Sequence, residues 1–555
     1  MNALICALNT KYVHSSLAPW CLKAGVERYS AGSECYVLEG TVNESEDALI
    51  KKIFEYEFHI IGFCTYIWNV ERVLSLCKRI KRERSNVITV LGGPEVGYRA
   101  ENILTENSFV DVVISGEGEE PFGRICNGED YCHIPGVSYR EKDKIIIKPS
   151  HVAENTPPSP YTEEYFKALN GRISYIETSR GCPYSCAFCL SGRQGGVRFF
   201  DSCEAKENIL KLASSGTRTV KFVDRTFNAD KRRAREIFDF IIDNYGTQIP
   251  KGVCFHFELE GDIIDDETIC SLSRAPKGAI QVEIGLQSFN KVTLDAINRK
   301  TNLARLCSNV KRIVALGTIH THIDLIAGLP YEDINSFEIS FNNALELKPH
   351  MLQLGFLKLL HGSYLREKSD YVFDFSEKPP YEVISTPHIS RDELLLLHKI
   401  EDVLDRLYNS LRFQKTVEYL HSVFENKFQM YRSLAIFLEK EGIVKTLDDF
   451  TYFIFKHFSR MENIDKDILR DAIAEDRLTT NRMGALPEFL KIHSPLLKKA
   501  LNYLDSNEKT KRKMGVKRGA TLLKATKELL YVDYFDMDPV TKAYPVNKIK
   551  IEGIL

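Results

Sequence analysis

Short apolar runs alternate with amphipathic stretches over roughly the first two thirds of the chain, and that alternation leaves few folds open. Up to about residue 130 the runs are 3–8, 34–38, 59–64, 87–92 and 110–115. Between them lie stretches such as 70–84, with Val70, Val73, Leu74, Leu76 and Ile80 at the spacing of one helix face. Strands separated by helices pair in parallel, so residues 1–150 are expected to form a doubly wound, Rossmann-like α/β sheet. It ends in a short β-like segment at 136–148. Residues 151–171 read as a linker, with Pro157, Pro158 and Pro160 at its centre. The alternation resumes at 174–178, 219–223, 253–258, 280–285, 320–326 and 352–357. Six βα units over 172–365 predict a partial (βα)6 barrel of the TIM type, with fewer strands than the full eight. From 366 to 555 the strand pattern fades, a leucine-rich helix is expected at 392–408, and the region reads as mainly helical.

Composition narrows the function. A net charge of −2 with 27% charged residues argues against general nucleic-acid affinity. The longest apolar stretches, such as 58–64 and 394–397, are far too short to span a membrane. The N-terminal residues lack the basic, apolar and small-residue order of a signal peptide, so a cytoplasmic protein is expected. In that compartment the fourteen cysteines stay reduced. Cys6, Cys35, Cys64, Cys254 and Cys270 sit singly in apolar surroundings and read as small core residues.

Three cysteines break that pattern. Cys182, Cys186 and Cys189 lie in Glu177-Thr-Ser-Arg-Gly-Cys-Pro-Tyr-Ser-Cys-Ala-Phe-Cys, on a loop leaving the first barrel strand, where barrel active sites lie. Closely spaced thiolates on one loop can wrap an iron–sulfur cluster. Three of them leave one iron of a 4Fe–4S cluster without a protein ligand. A structural zinc site would want a fourth Cys or His, and the nearby Cys203 falls inside an expected helix.

In this motif and in the strands after it the chain resembles the radical S-adenosylmethionine superfamily. The resemblance implies that the open iron chelates S-adenosylmethionine, whose reductive cleavage yields a 5′-deoxyadenosyl radical. It also implies cofactor contacts: Phe188 near the adenine, Asp224 at the methionine end, Glu258, Glu283 and Gln287 towards the ribose, and Asp324 near the adenine. The bottom-up alternatives are helix capping for Asp224 and Asn228, and surface roles for Glu258 and Glu283.

A doubly wound sheet ahead of such a barrel resembles the cobalamin-binding subgroup. The Gly92-Gly93-Pro94-Glu95 turn and the Gly116-Glu117-Gly118-Glu119-Glu120 turn carry that likeness, and glycines there would let a corrin approach the backbone. The D-x-H-x-x-G motif of some cobalamin domains is absent. His14 reads as a loop hydrogen-bonding residue, and Tyr66, Trp68 and Asn69 either face the corrin or pack locally. A dinucleotide-binding domain would need G-x-G-x-x-G after the first strand, where no glycine stands.

The resemblance implies three cofactors: a 4Fe–4S cluster, S-adenosylmethionine and cobalamin. It implies methyl transfer to an unactivated carbon, with a flavodoxin- or ferredoxin-type electron donor. Cobalamin-dependent ring formation or rearrangement, and a cobalamin- or redox-responsive binding protein without turnover, are the alternatives. A methylthiotransferase would need a second cysteine triad. Residues 509–518 form the densest basic run and read as a solvated loop or helix end, with contact to a phosphate-bearing substrate such as RNA or a phospholipid headgroup as the alternative. The C-terminal helices are expected to close the barrel's open side or to act as a lid.

Overall fold

In the computed structural model the alternation resolves into two parallel sheets; residues 1–550 are described apart from positions 194, 443, 483, 484, 508, 509 and 511–514. The first sheet holds β1 (Ala3–Asn9), β2 (Cys35–Thr41), β3 (Ile60–Cys64), β4 (Ile88–Gly92) and β5 (Val112–Ile114), in the order β2-β1-β3-β4-β5. Every residue of β1 and β3 is buried, as befits strands with helices on both faces. The period of two sends Leu4, Cys6 and Leu8 into one apolar core and Ala3, Ile5 and Ala7 into the other.

The sheet is not wholly parallel. β6 (Val137–Glu141) pairs antiparallel with β5, and β7 (Lys144–Ile146) antiparallel with β6. The turn at Lys142, which has φ of 53°, reverses the chain at once, and so short a connection cannot cross back to give a parallel neighbour.

The second sheet begins at β8 (Ser174–Ile176). A small antiparallel pair, β9 (Ser179–Gly181) and β10 (Val197–Phe199), then brackets the cysteine loop. β11 (Thr219–Phe222), β12 (Cys254–Leu259), β13 (Ile280–Gln287), β14 (His320–Ala327) and β15 (Met351–Phe356) complete a parallel array in the order β8-β11-β12-β13-β14-β15. β8 and β15 stand at opposite edges, so the barrel is open between them. Along β13 the residues Ile280, Val282, Ile284 and Leu286 are buried in the core, while Gln281, Glu283, Gly285 and Gln287 alternate onto the inner face.

The C-terminal region closes the β15 edge. Asn409 substitutes for a neighbouring strand: its amide nitrogen donates to the Leu352 carbonyl at 2.8 Å, and its oxygen accepts from the Leu352 N–H at 2.9 Å. Asn409→Ala strips both bonds from a buried backbone position and is expected to cost about 1–3 kcal/mol. Denaturant unfolding reads this as a lower midpoint, while the iron content of the folded protein stays unchanged.

This region is less helical than the sequence suggests. After a short pair, β16 (Asp374–Phe375) and β17 (Val383–Ser385), and a run of helices, the strands β18 (Arg518–Leu522), β19 (Glu528–Asp533) and β20 (Val546–Lys550) form an antiparallel sheet. Much of the basic run lies outside the described residues. Its last member, Arg518, is not solvated: the guanidinium pairs with Asp533 at 2.6 Å and stacks over Tyr531. Nor is Cys270 a core residue; it is exposed on a helix. Among the described residues no helix is long and apolar enough to cross a membrane.

Candidate active site

The cysteine loop is fixed at its base and along its length. The Asp224 carboxylate, buried just beyond β11, accepts from the Thr178 N–H at 3.0 Å, the Thr178 hydroxyl at 2.7 Å and the Ser179 hydroxyl at 2.5 Å. Arg233 adds bonds to the Thr178 carbonyl and hydroxyl. Farther along, Ala187 N–H donates to the Ile297 carbonyl, and Leu365 N–H donates to the Ala187 carbonyl. Phe188 lies half-buried against the barrel core.

Each cysteine sulfur has a polar partner suited to a thiolate. Cys182 Sγ lies 3.3 Å from the Thr226 hydroxyl, Cys189 Sγ accepts from Ser191 N–H at 3.4 Å, and Cys186 Sγ is 3.8 Å from Arg299 Nη1. No three His, Cys, Asp or Glu side chains among the described residues gather as ligands of one metal ion. In a cubane cluster each thiolate binds a different iron, so the three sulfurs need not converge on one ion. These three residues would hold it, and the residues present fit.

Arg299, which the sequence reading did not single out, also reaches this loop. It pairs with Glu260 at 2.7 Å and donates to the Gly285 carbonyl, which brings a buried positive charge to the cluster loop. Burial pushes the Glu260 carboxyl up to about 7, against the pull of Arg299.

The next strands supply acceptors without donors. A bulge in β13 sets Gly285 opposite Asp324 and Gln287 opposite Leu325, with Gln287 at φ of 73°. Gln287 Oε1 and Asp324 Oδ1 are both buried with no partner, as is Glu260 Oε1. Burial, reinforced by Glu283 and Glu258, raises the Asp324 carboxyl well above the usual range. Acceptors left orphaned in this way fit a ligand that brings hydroxyl or ammonium donors, as S-adenosylmethionine does. Glu332, two residues past the Gly328-Leu-Pro330 turn, was also missed. It accepts from Ser288 at 2.6 Å, and burial pushes its carboxyl up to about 7.

Deeper in the barrel the inner face stays polar. Glu283 pairs with His256 at 2.9 Å, with Lys221 at 3.6 Å and with His322 at 3.9 Å. Burial raises its carboxyl, but the hydrogen bond with His256 and the Lys221 charge outweigh it and hold the group below the usual range. Glu258 lies 3.9 Å from both Lys221 and Arg225, and burial raises it. His322 is pushed down to about 4 by burial, so its imidazole is neutral. Neither Asp224 nor Asn228 caps the following helix. Asp230 does so, while Asn228 ties the Glu260 backbone through both ends of its amide.

In the first domain the loops at the carboxyl ends of the strands turn towards this site. At the switch point between β1 and β3, Trp68 Nε1 and Asn69 Nδ2 both donate to the Leu8 carbonyl. Tyr66 stacks on Trp68 with ring centroids 4.4 Å apart, and the indole is 46% exposed. That exposed aromatic face stands where doubly wound sheets bind ligands and suits a large, partly apolar one such as cobalamin. His14 Nδ1 is 2.7 Å from the Tyr175 hydroxyl.

At the glycine turns the structure shows a packing reason for two of the glycines. Gly93 and Gly116 have φ of 116° and 92°, and a Cβ on either would overlap backbone, that of Thr65 or of His151. A Cβ on Gly118 would meet the Leu22 side chain, while one on Gly92 would meet nothing closer than 3.9 Å. Pro94 starts a short helix whose Glu95 is buried, paired with Arg99 at 2.6 Å and bonded by the Tyr381 hydroxyl. A cover for the carboxyl end of the barrel therefore comes from this domain and from the segment after β15, including Gly362 against Tyr98 and Arg193.

Comparison with known proteins agrees with this layout. Residues 4–125 match the B12 binding domain, 176–343 the radical SAM superfamily, and 369–552 a family described as a protein of unknown function (DUF4080). The 2-(S-pantetheinyl)-carbapenam-3-carboxylate methyltransferase of Streptantibioticus cattleyicolor is 28% identical over 52% of this chain and 45% of its own length. The cobalamin-dependent radical SAM methyltransferase TokK of Streptomyces tokunonensis is 26% identical over 73% of this chain and 61% of its own. The matches thus span about half to three fifths of these relatives. Other relatives, 21–26% identical, are anaerobic magnesium-protoporphyrin IX monomethyl ester cyclases. The same fold is seen in the cobalamin-dependent S-adenosylmethionine radical enzyme OxsB, solved with aqua-cobalamin and S-adenosylmethionine. It is 13% identical with a TM-score of 0.59, covering 86% of this chain and 78% of that one.

Proposed function

Because the chain is a cobalamin-dependent radical S-adenosylmethionine enzyme, with a B12-binding domain, a radical SAM domain and a DUF4080 region, we propose that it transfers a methyl group to an unactivated carbon. One observation carries this reading. The carboxyl end of the first sheet meets the barrel at the foot of the cysteine loop, where Glu117 and Glu119 after β5 pair with Arg180 after β8, and Glu95 after β4 meets Tyr381 beyond β15. A methyl carrier and a radical source held on either side of that contact share one enclosed space.

When bound, the cluster and S-adenosylmethionine supply a hydrogen-abstracting radical, and cobalamin supplies a methyl group. The chain's own residues hold and orient. Cys182, Cys186 and Cys189 hold the cluster, Gln287 and Asp324 accept hydrogen bonds from the cofactor, and Arg299 places positive charge beside Cys186. Lys221, His256, Glu283 and His322 line the inner face that substrate would meet. The segment after β15 keeps water out. Electrons would come from a flavodoxin- or ferredoxin-type donor. The methyltransferases among the relatives support the reading.

The test is anaerobic purification from cells supplied with cobalamin, followed by turnover with reductant, trideuteromethyl-labelled S-adenosylmethionine and a small-molecule extract of the cell that makes the protein. Corrin absorption should lie over the broad iron–sulfur bands. S-adenosylhomocysteine and 5′-deoxyadenosine should form in equal amounts, together with a product heavier by the labelled methyl. Deoxyadenosine without S-adenosylhomocysteine would sink methyl transfer and leave ring formation or rearrangement.

A further inference from the structure

The turn at residues 115–120, read from the sequence as a corrin-facing loop, is bound to the base of the cysteine loop. β9 and β10 are the two legs from which that loop rises, and they pair with Arg198 directly opposite Arg180. Both guanidiniums reach the same carboxylate across the domain boundary. Arg180 donates to Glu117 at 3.0 Å and Arg198 donates to its other oxygen. Arg180 also binds Glu119 at 2.5 Å and the neighbouring Glu177 at 2.9 Å. The turn is pinned from behind by the linker, where Glu117 N–H donates to the His151 carbonyl and His151 N–H to the Ser115 carbonyl.

The side chains of Glu117 and Glu119 are each 8% exposed and that of Arg180 is 15% exposed. Ion pairs on open surface add little, whereas buried ones are poor stabilisers but demanding of geometry. Arg180 stands two residues before Cys182, and Glu117 and Glu119 two and four residues beyond Ser115, so the cluster spans a very short path between the two cofactor-bearing elements.

We propose that Arg180, through Glu117 and Glu119, is a positioning residue that fixes the iron–sulfur cluster relative to the cobalamin held by the N-terminal domain. The inference needs both cofactors in place but does not depend on methyl transfer. Without the ion cluster each domain keeps its own cofactor, and the distance between them is no longer single-valued.

The reduced cluster and cob(II)alamin are both paramagnetic, so pulsed electron paramagnetic resonance on the holoenzyme reads their separation directly. The wild type should give one narrow cobalt–cluster distance. Arg180→Met, with iron and cobalamin contents matching wild type, should broaden or lose it. Where Arg180→Met fails to fold, the Glu117→Gln/Glu119→Gln pair leaves the barrel strand untouched and carries the same test. A triple variant combining all three removes the uncompensated carboxylates, so folding should recover while the distance stays broad. An unchanged narrow distance in Arg180→Met or the Gln pair would overturn the proposal. Wild-type protein that takes up no cobalamin would overturn it at its premise, a result visible in the absorption spectrum before any distance is measured.

Discussion

Cys189→Ala yields protein without a 4Fe–4S cluster and without detectable 5′-deoxyadenosine formation. With three local thiolates there is no spare ligand, because the fourth iron is left for S-adenosylmethionine. A loop that offers two sulfurs cannot hold the cubane against loss of iron. The nearest alternative donor, Cys203, is exposed on the following helix and no anchor draws it inward. Cys203→Ala should therefore leave iron content and turnover at wild-type values, which makes it the matched control. Iron and sulfide assays, the resonance of the reduced protein, and chromatographic measurement of deoxyadenosine together check the result. A Cys189→Ala protein with full iron and full turnover would move the cluster to other residues. The fold itself should survive, since the loop is anchored through Ala187, Thr178 and Ser179, and the Cys189 side chain accepts only the local bond from Ser191 N–H.

The cysteine triad was legible because its chemistry is local: three thiols within eight residues need no tertiary structure to be recognised. Parallel strands were legible for a related reason. Strands buried on both faces, such as β1 and β3, are continuous apolar runs, while the barrel strands alternate core with inner face, as β13 does. What sequence could not give is register and partner. Arg299 lies beyond β13 and gains its meaning only by reaching back to Glu260 and Cys186. His256, Glu283 and His322 stand on three strands and become one cluster only when those strands pair.

The glycine turns show the same limit. Gly93 and Gly116 have left-handed backbones that any tight turn could need, and only the structure shows that backbone of Thr65 and His151 occupies the space a side chain would fill. Their neighbours Glu95, Glu117 and Glu119 turn the likeness into an interface, by pairing with Arg99, Tyr381, Arg180 and Arg198. The C-terminal sheet escaped notice because β18 follows a dense basic run, and because Arg518 looks solvated until Asp533 and Tyr531 are seen against it.

Asp224→Ala separates two roles that sequence could not tell apart, contact with the cofactor and support of the cysteine loop. Both Asp224 oxygens are engaged by Thr178 and Ser179, at the foot of the loop, and the residue is 1% exposed. Removing the carboxylate leaves a buried N–H and two hydroxyls without their acceptor and takes a neighbouring negative charge from Arg233. Burial already holds the carboxyl above its ordinary range, so part of the gain from these bonds is offset by the cost of desolvating the charge. The net expected loss is about 2–4 kcal/mol, set by the unsatisfied groups left behind. Denaturant unfolding should show that loss, and cluster incorporation should fall with it as the foot of the loop loosens. In the fraction that does carry a cluster, affinity for S-adenosylmethionine should stay within about twofold of wild type, a difference well under 1 kcal/mol. Asp324→Ala should do the reverse, because its orphaned oxygen is free for a ligand: little change in cluster content, and weaker binding of the cofactor. If Asp224→Ala instead kept full stability and lost only cofactor affinity, its carboxylate would be a cofactor contact, and the anchoring of the loop would rest on Arg233 and the backbone.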